Sequence, residues 1–428
     1  MEKINIWLKN NIQSILLVFL YLQPIIDLLT SLCINFLHIN LTFGIIVRIL
    51  FLMFLLYCFI ILEKPKDKKI ISYLSILLLY FMVYTISIFV YKDSSVLSYE
   101  ISNTMRTFYF PIILVLIMNI NKNKNLKIET SHYLKVIMIY ISFIIIPTIL
   151  GLNFNGYKEG KVGNIGWFNS TNEISAIISL ILPIIGYLLL IKKNKWYQVI
   201  ISALILFVIF NLGSKITILS LLITVFFYSF IYVKRLIKEK SYKKIGILLS
   251  IFIVLTSSIL LYLPKTNFYK NIEIHLNFLG VNNINEVFTN YKLFDHFIFS
   301  SRLSFLNQTS INYQESSLFE KTVGIGYIEK YATDDVNLKM IEIDPFDILF
   351  RHGILGFILY FLPFVYYIYF GIKKYFYKYD FSNFPYFISL LISILLMSLS
   401  GHVLTSPAVS FYLALIILYL NNIKQEVQ

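Results

Sequence analysis

Three carboxylates fall within six residues in Glu342-Ile343-Asp344-Pro345-Phe346-Asp347, just before a long apolar run. Residues three apart on a helix share a face, so Asp344 and Asp347 would point together into one cavity. There either of them, or Glu342, could take a proton from a hydroxyl, with Arg351 one turn further along. The same spacing also suits a purely structural start. Asp344 is a good N-cap, Pro345 fits the first helical position, and Asp347 offsets the orphan N–H groups and the helix dipole. Both readings stand at this point.

A second set is cationic: Arg106, Lys158, Lys161, Lys215, Arg302 and Arg351. An arginine fork matches phosphate oxygens, so such residues around one pocket would hold a pyrophosphate. Each has a plainer alternative. Arg106 could snorkel to headgroups, and Arg302, in Ser301-Arg302-Leu303, could be solvated. Lys215 follows Gly213-Ser214 in a tight hairpin where charge bias does not require a lysine. Glu173 closes Ser170-Thr171-Asn172-Glu173, a capping-box spacing before an apolar run. Trp167 and Asn169 end the Gly- and Asn-rich stretch 151–171. His402, in Gly401-His402-Val403, is a base near neutral pH or simply a hydrogen-bonding turn residue. Gly353 and Gly356 have the small-x-x-small spacing of close helix packing. No Cys/His metal-ligand cluster and no Walker-type phosphate loop is present, so neither a metal nor a nucleotide cofactor is expected.

The elements that must carry these residues are membrane helices. The chain has 428 residues, 58% hydrophobic and 14% charged, where a soluble chain carries about 25% charged residues. Its apolar residues come in runs near the ~20 needed to cross a bilayer, and each run must bond its own backbone. The runs predict spans at 11–33, 42–62, 70–91, 106–120, 133–151, 172–191, 198–212, 215–233, 245–263, 346–371, 383–400 and 405–421. The 106–120 and 198–212 runs are short enough to be tilted, broken or re-entrant. Alternate connectors hold the lysine clusters, from Lys3 and Lys9 through 64–69, 122–127, 192–195, 234–244 and 373–378 to Lys424. That pattern puts both termini in the cytoplasm of a multi-pass cell-membrane protein. It also accounts for the +14 net charge without nucleic acid. The first apolar run is too long, and lacks the small-residue site, for a cleaved signal. Cys33 and Cys58 lie inside apolar runs and say nothing of redox compartment.

The expected fold is therefore all-α and integral to the membrane, with about twelve helices. Residues 1–264 form a nine-helix region, 265–345 a large extracellular loop before the tenth helix, and 346–428 a three-helix region. The segment Lys265–Ile343 is too long for a connector, and its apolar content predicts short helices on the membrane surface.

Five stretches give the chain a likeness to known proteins. They are Gln23-Pro24-Ile25-Ile26-Asp27, Arg106-Thr107-Phe108-Tyr109-Phe110-Pro111, Gly166-Trp167-Phe168-Asn169 with Asn172-Glu173, Asn211-Leu212-Gly213-Ser214-Lys215, and Ser301-Arg302 through Gly324-Ile325-Gly326 to Asp344–Asp347 and Gly353–Gly356. In this order, with a large loop before a late helix, the chain resembles the O-antigen ligase and polymerase family, in the form of Gram-positive capsule and exopolysaccharide polymerases. The resemblance implies a glycosyltransferase-C-like membrane fold. It also implies transfer from a polyprenyl-diphosphate-linked oligosaccharide on the outer face, among membrane lipids, beside a flippase and a chain-length regulator. It assigns diphosphate binding to Arg302, then to Arg106 and Arg351, with Lys215 where relatives often carry Arg. Apart from the resemblance, Trp167, Asn169, Glu173 and His402 are the residues expected to contact the glycan. Ligases of the family show His-Asn before the Gly-x-x-Gly helix, where this chain has Glu342. That tilts the expectation to polymerase. The alternatives are a ligase moving finished polymer to a lipid or cell-wall acceptor, and a lipid-linked oligosaccharide flippase.

Overall fold

In a computed structural model, the chain is described at residues 2–38, 43–62, 67–156, 162–191, 195–241, 243, 261–281, 284–328, 340–377, 380–401 and 403–423. Among these residues the protein is built of helices, and nine helical segments are long and apolar enough to cross a bilayer. They are α1 (Glu2–Phe36), α2 (Phe43–Tyr57, extended by a π turn to Leu62), α3 (Lys68–Tyr91), α4 (Leu97–Lys124), α5 (Thr130–Leu150), α6 (Thr171–Ile191), α7 (Lys195–Leu212), α8 (Lys215–Lys238) and a late helix, Asp344–Tyr377. Two shorter apolar helices follow, Phe384–Leu399 and Pro407–Asn421. Eleven of the expected spans are thus helical; the run at 245–263 lies largely outside the described residues. The chain is a multi-pass integral membrane protein.

Between α8 and the late helix come α9 (Asn267–Phe278), α10 (Ile284–Thr289), α11 (Tyr291–Phe294), α12 (Arg302–Glu315) and α13 (Leu318–Val323). The late helices are accordingly α14 (Asp344–Tyr377), α15 (Phe384–Leu399) and α16 (Pro407–Asn421). The described residues of this segment thus form short helices, as expected of them; their place on the membrane surface stays part of the proposal below.

Burial sorts the bundle by position. In α4 every residue from Thr107 to Ile120 is buried, and in α16 every residue from Pro407 to Leu418. A helix that is apolar on all sides belongs in the middle of the bundle. Helix α4 packs on α2, α3, α14 and α16, and α6 packs on α5, α8, α15 and α16. Helix α8 instead exposes Leu222, Phe226 and Phe230, as a lipid-facing helix does.

Two boundaries differ from expectation for physical reasons. The 106–120 run is neither short nor re-entrant, because α4 begins at Leu97. Glu100 and Arg106 interrupt its apolar pattern, but Glu100 is neutralised inside the fold by its ion pair with Lys92, and the helix continues through both. The 198–212 run fills α7, which gains a turn at Lys195.

Helix α14 is bent at Gly353, whose φ of 65° lies in the left-handed region that glycine favours. The bend frees two carbonyls, and the extended segment after α13 occupies them. Ile325 N donates to Phe350 O at 3.0 Å and Gly326 N to Arg351 O at 3.1 Å. A Cβ on Gly353 would meet Gly324 N at 2.6 Å, so the two strands of backbone touch only because both positions are glycine. Gly356 has the close-packing role expected of it, against the Tyr80 hydroxyl.

Candidate functional site

Three of the sequence-selected residues line a cavity of about 520 Å³ at the end of the bundle that carries the 265–343 segment. Lys215 at the start of α8, Arg302 at the start of α12 and Glu342 share its wall with Asn172, Asn271 and His275. Ile216, Leu219, Phe305 and Leu399 supply an apolar side.

Each charged group is held by its own local device. Ser300 and Ser301 both take positive φ, turning the chain sharply into α12. Buried Asp295 then accepts Leu303 N at 3.0 Å, Ser304 N at 2.9 Å and the Ser304 hydroxyl at 2.6 Å, fixing the first turn behind Arg302. Arg302 is buried but not solvated inertly. Its Nη1 donates to Leu399 O at 3.1 Å and its Nη2 to Glu342 Oε2 at 2.5 Å. The Lys215 ammonium donates to Phe297 O and lies 4.1 Å from the centre of the Phe297 ring. The hairpin before it is pinned by Asn271, which donates to Gly213 O at 3.0 Å and accepts Val162 N at 2.6 Å.

The acidic stretch does not behave as a pair of facing carboxylates. Asp344 is the first residue of α14 rather than its cap, since Ile343 O starts the helical ladder. Its Oδ2 accepts Val403 N at 2.9 Å and Leu404 N at 2.7 Å, and its Oδ1 accepts the Thr405 hydroxyl at 3.1 Å. Asp347 turns back on its own approach loop, accepting Ile341 N at 3.0 Å and Glu342 N at 2.8 Å. Both are almost fully buried. Glu342 is the acid of the three that reaches the cavity, with 36% of its side chain exposed.

Arg351 is not brought to that cavity either. It is buried where α14 bends, donates to Gly326 O at 3.0 Å and lies 5.8 Å from the Tyr327 ring centre. Beside it Tyr327, whose phenol burial pushes up and keeps neutral, bonds the Thr107 hydroxyl at 2.7 Å and His352 Nε2 at 2.8 Å.

A second cavity, of about 250 Å³, opens between α1, α2, α4, α6 and α16. Arg106, Asn169 and Glu173 line it, with Asp27, Arg48 and Ser406. Glu173 completes only half of a capping box. Ser170 Oγ accepts Glu173 N at 3.4 Å, but the Glu173 carboxylate takes the Ser406 hydroxyl at 2.6 Å instead of reaching back. Trp167 stands off the cavity, its ring N–H bonded to Leu152 O at 3.0 Å. His402, Lys158 and Lys161 lie outside the described residues.

Arg48 is the strongest signal that reading by motif passed over, and Asp27, quoted only as part of the Gln23–Asp27 stretch, is its partner. They form an ion pair at 2.5 Å within α1 and α2, extended by Gln23 Oε1 accepting Arg48 Nε at 3.0 Å and Tyr140 donating to Asp27 at 2.7 Å. An arginine inside an apolar run demands a partner, and Asp27 sits in the preceding run. Among the described residues no group of three or more metal-ligating side chains comes together.

Comparison with known proteins agrees with this architecture. No curated protein and no solved structure matches the chain. The family described as O-antigen ligase like membrane protein matches residues 9–287 and 289–426, nearly the whole length. With its bundle of apolar helices and its charged pocket beside the long 265–343 segment, the chain belongs to that family of O-antigen ligase like membrane proteins.

Proposed function

We propose that this glycan-transferring membrane enzyme is a polysaccharide polymerase, joining polyprenyl-diphosphate-linked oligosaccharide repeat units on the outer face of the membrane. The observation that carries the reading is the composition of the 520 Å³ cavity. Two cations meet an apolar flank on α8, the least buried of the long helices among the described residues, which suits a diphosphate whose lipid tail lies in the bilayer. In this reading both termini are cytoplasmic, 1–264 and 346–428 are the membrane regions, and 265–345 roofs the site.

Arg302 and Lys215 hold the donor diphosphate. An acceptor sugar hydroxyl attacks the anomeric carbon, its oxygen forming the new glycosidic bond as the carbon–oxygen bond to the diphosphate breaks. The electron pair leaves on the diphosphate, where fixed cations stabilise the developing charge. The hydroxyl proton passes to Glu342. Arg302 engages that carboxylate in the resting site; a diphosphate that takes over the guanidinium releases it, so donor binding makes the proton acceptor available. Asp347 and Asp344 act by position, bracing the Glu342 loop and the 403–405 turn. Glu342 in place of a histidine favours polymerase over ligase.

Deletion of the gene tests the reading. A polymerase loss leaves single repeat units on their lipid, facing outward, and no long polymer. Long polymer persisting in the deletion strain overturns it. Long polymer left on its carrier marks a ligase, and lipid-linked units retained on the cytoplasmic face mark a flippase. Flippase and chain-length regulator are the companions this reaction calls for.

A further inference from the structure

We propose that the 250 Å³ cavity between α1, α2, α4, α6 and α16 is the acceptor-glycan subsite, distinct from the diphosphate pocket and sunk into the membrane region; the inference rests on the transferase reading above.

Charge separates the two cavities. The diphosphate pocket has Lys215 and Arg302 against Glu342, an excess of cations. The second cavity holds Asp27 and Glu173 against Arg48 and Arg106, and so balances. A balanced set of charged groups with Asn169, Ser170 and Ser406 suits a neutral polyhydroxyl ligand, whose hydroxyls both donate and accept. It does not suit a second diphosphate.

The groups are also poised differently. Asp27 and Arg48 saturate each other and make a fixed polar floor. Asp27 lies ~14 Å along α1 from its end at Phe36, so the floor is well below the rim. Arg106 has no hydrogen-bond or ion-pair partner among the described residues, although it is half-buried beside this floor. Glu173 gives one oxygen to Ser406. Glycine at 44 keeps the cavity open, because a Cβ there would stand 2.8 Å from both the Arg48 guanidinium and the Thr30 hydroxyl.

The two cavities draw on the same elements, as subsites of one two-substrate reaction would. Asn172 lines the diphosphate pocket and Glu173, the next residue, lines the other. Ser406 follows Thr405, whose hydroxyl is held by Asp344, and Asp344 lies two residues after Glu342. The start of α6 and the Asp344–Thr405 contact thus tie the proposed acceptor residues Glu173 and Ser406 to the segment that carries Glu342.

The test uses the full chain in lipid nanodiscs. Lipid-linked repeat units from the parent strain serve as donor, and the repeat-unit oligosaccharide released from that lipid by mild acid serves as acceptor. Arg106→Gln and Glu173→Gln, with Ser406→Ala as a smaller change, raise the acceptor KM about ten-fold, the weight of one charged hydrogen bond. The donor KM and the thermal midpoint stay at wild-type values, whereas Arg302→Ala acts on the donor side. A shifted donor KM, or no shift in either, overturns the proposal. If the wild-type chain transfers nothing, the polymerase reading fails by itself. Equilibrium binding of the same oligosaccharide then decides the subsite: weakened binding in Glu173→Gln upholds it, and unchanged binding overturns it.

Discussion

Nη2 of Arg302 lies 2.5 Å from Oε2 of Glu342, forty residues further along the chain. The pair joins the start of α12 to the approach of α14 across the proposed diphosphate pocket. Neither partner is chosen by topology, and Glu342 holds a positive φ of 59° to reach it. A non-glycine residue in that region is sustained only by surrounding contacts, here the two carboxylate oxygens of Asp347 on Ile341 N and Glu342 N.

The first prediction follows from the different roles given to the two partners. Arg302→Ala removes charge stabilisation of the leaving diphosphate, a loss of roughly 10²–10³ in kcat, while Arg302→Lys keeps part of the activity. Glu342→Gln lowers kcat by a comparable factor but leaves donor binding intact. Exchanging the charges, with Arg302→Glu and Glu342→Arg together, restores the ion pair and not the activity. Recovery of polymer length in that double variant would show the pair to be a structural clamp alone.

Asp344 gives a sharper test of chemistry against position. Three of its hydrogen bonds go to 403–405, and asparagine can reproduce those three, its carbonyl accepting the two amides and its amide donating to Thr405 Oγ1. Asp344→Asn therefore keeps most activity and stability. Asp344→Ala strands two buried amides, at about 1–3 kcal/mol each, and unseats Ser406 next door. Loss of activity in Asp344→Asn at an unchanged melting temperature would return the carboxylate to the list of proton acceptors.

Gly353→Ala places a Cβ against backbone on the neighbouring segment at a φ that only glycine takes easily. Strain of about 1–3 kcal/mol is expected, released by detaching the Gly324–Gly326 segment from α14. Faster proteolysis within residues 265–343, at unchanged overall helicity by circular dichroism, is the signature. Gly356→Ala would crowd the Tyr80 hydroxyl and His352 Cβ, but without the positive φ of Gly353, and so has the milder effect on this segment.

Hydropathy made the bundle legible because each span must close its own hydrogen bonds, a demand that acts along the sequence. The start of α4 was hidden for the opposite reason: Glu100 and Arg106 look like a connector until their distant surroundings are known. The acidic stretch 342–347 was visible as chemistry, but its division of labour was not. Asp344 answers to amides at 403 and 404, and Asp347 to its own approach loop, and no spacing rule encodes those partners. Gly353 read as a packing glycine because the left-handed bend shows only against Gly324. Arg302, Lys215 and Glu342 were all in view as candidates, and the fold alone places them around one cavity.

Glu100 offers the most demanding test of how the long segment is held. Its carboxylate is fully buried and paired with Lys92, and it also accepts Tyr327 N at 2.9 Å, Ile328 N at 2.9 Å and the Tyr84 hydroxyl at 3.1 Å. The two ion partners are not equivalent. Without Lys92, the carboxylate keeps three donors that solvate its charge; without the carboxylate, the ammonium is left in a buried site where desolvation already pulls its pKa down. Glu100→Gln should then destabilise by about 3–5 kcal/mol, and Lys92→Met by clearly less. The amide introduced by Glu100→Gln also turns a donor toward backbone N–H groups, so part of the damage survives in any background. Combining Glu100→Gln with Lys92→Met removes the stranded charge and recovers at least about 1 kcal/mol over the sum of the single effects. Thermal unfolding of the purified variants measures the cycle. Equal single losses that simply add would mean that the ion pair does not anchor the Gly324–Ile328 segment, which is then held by the Glu100 carboxylate's own bonds to Tyr327 N and Ile328 N and by the backbone hydrogen bonds to α14.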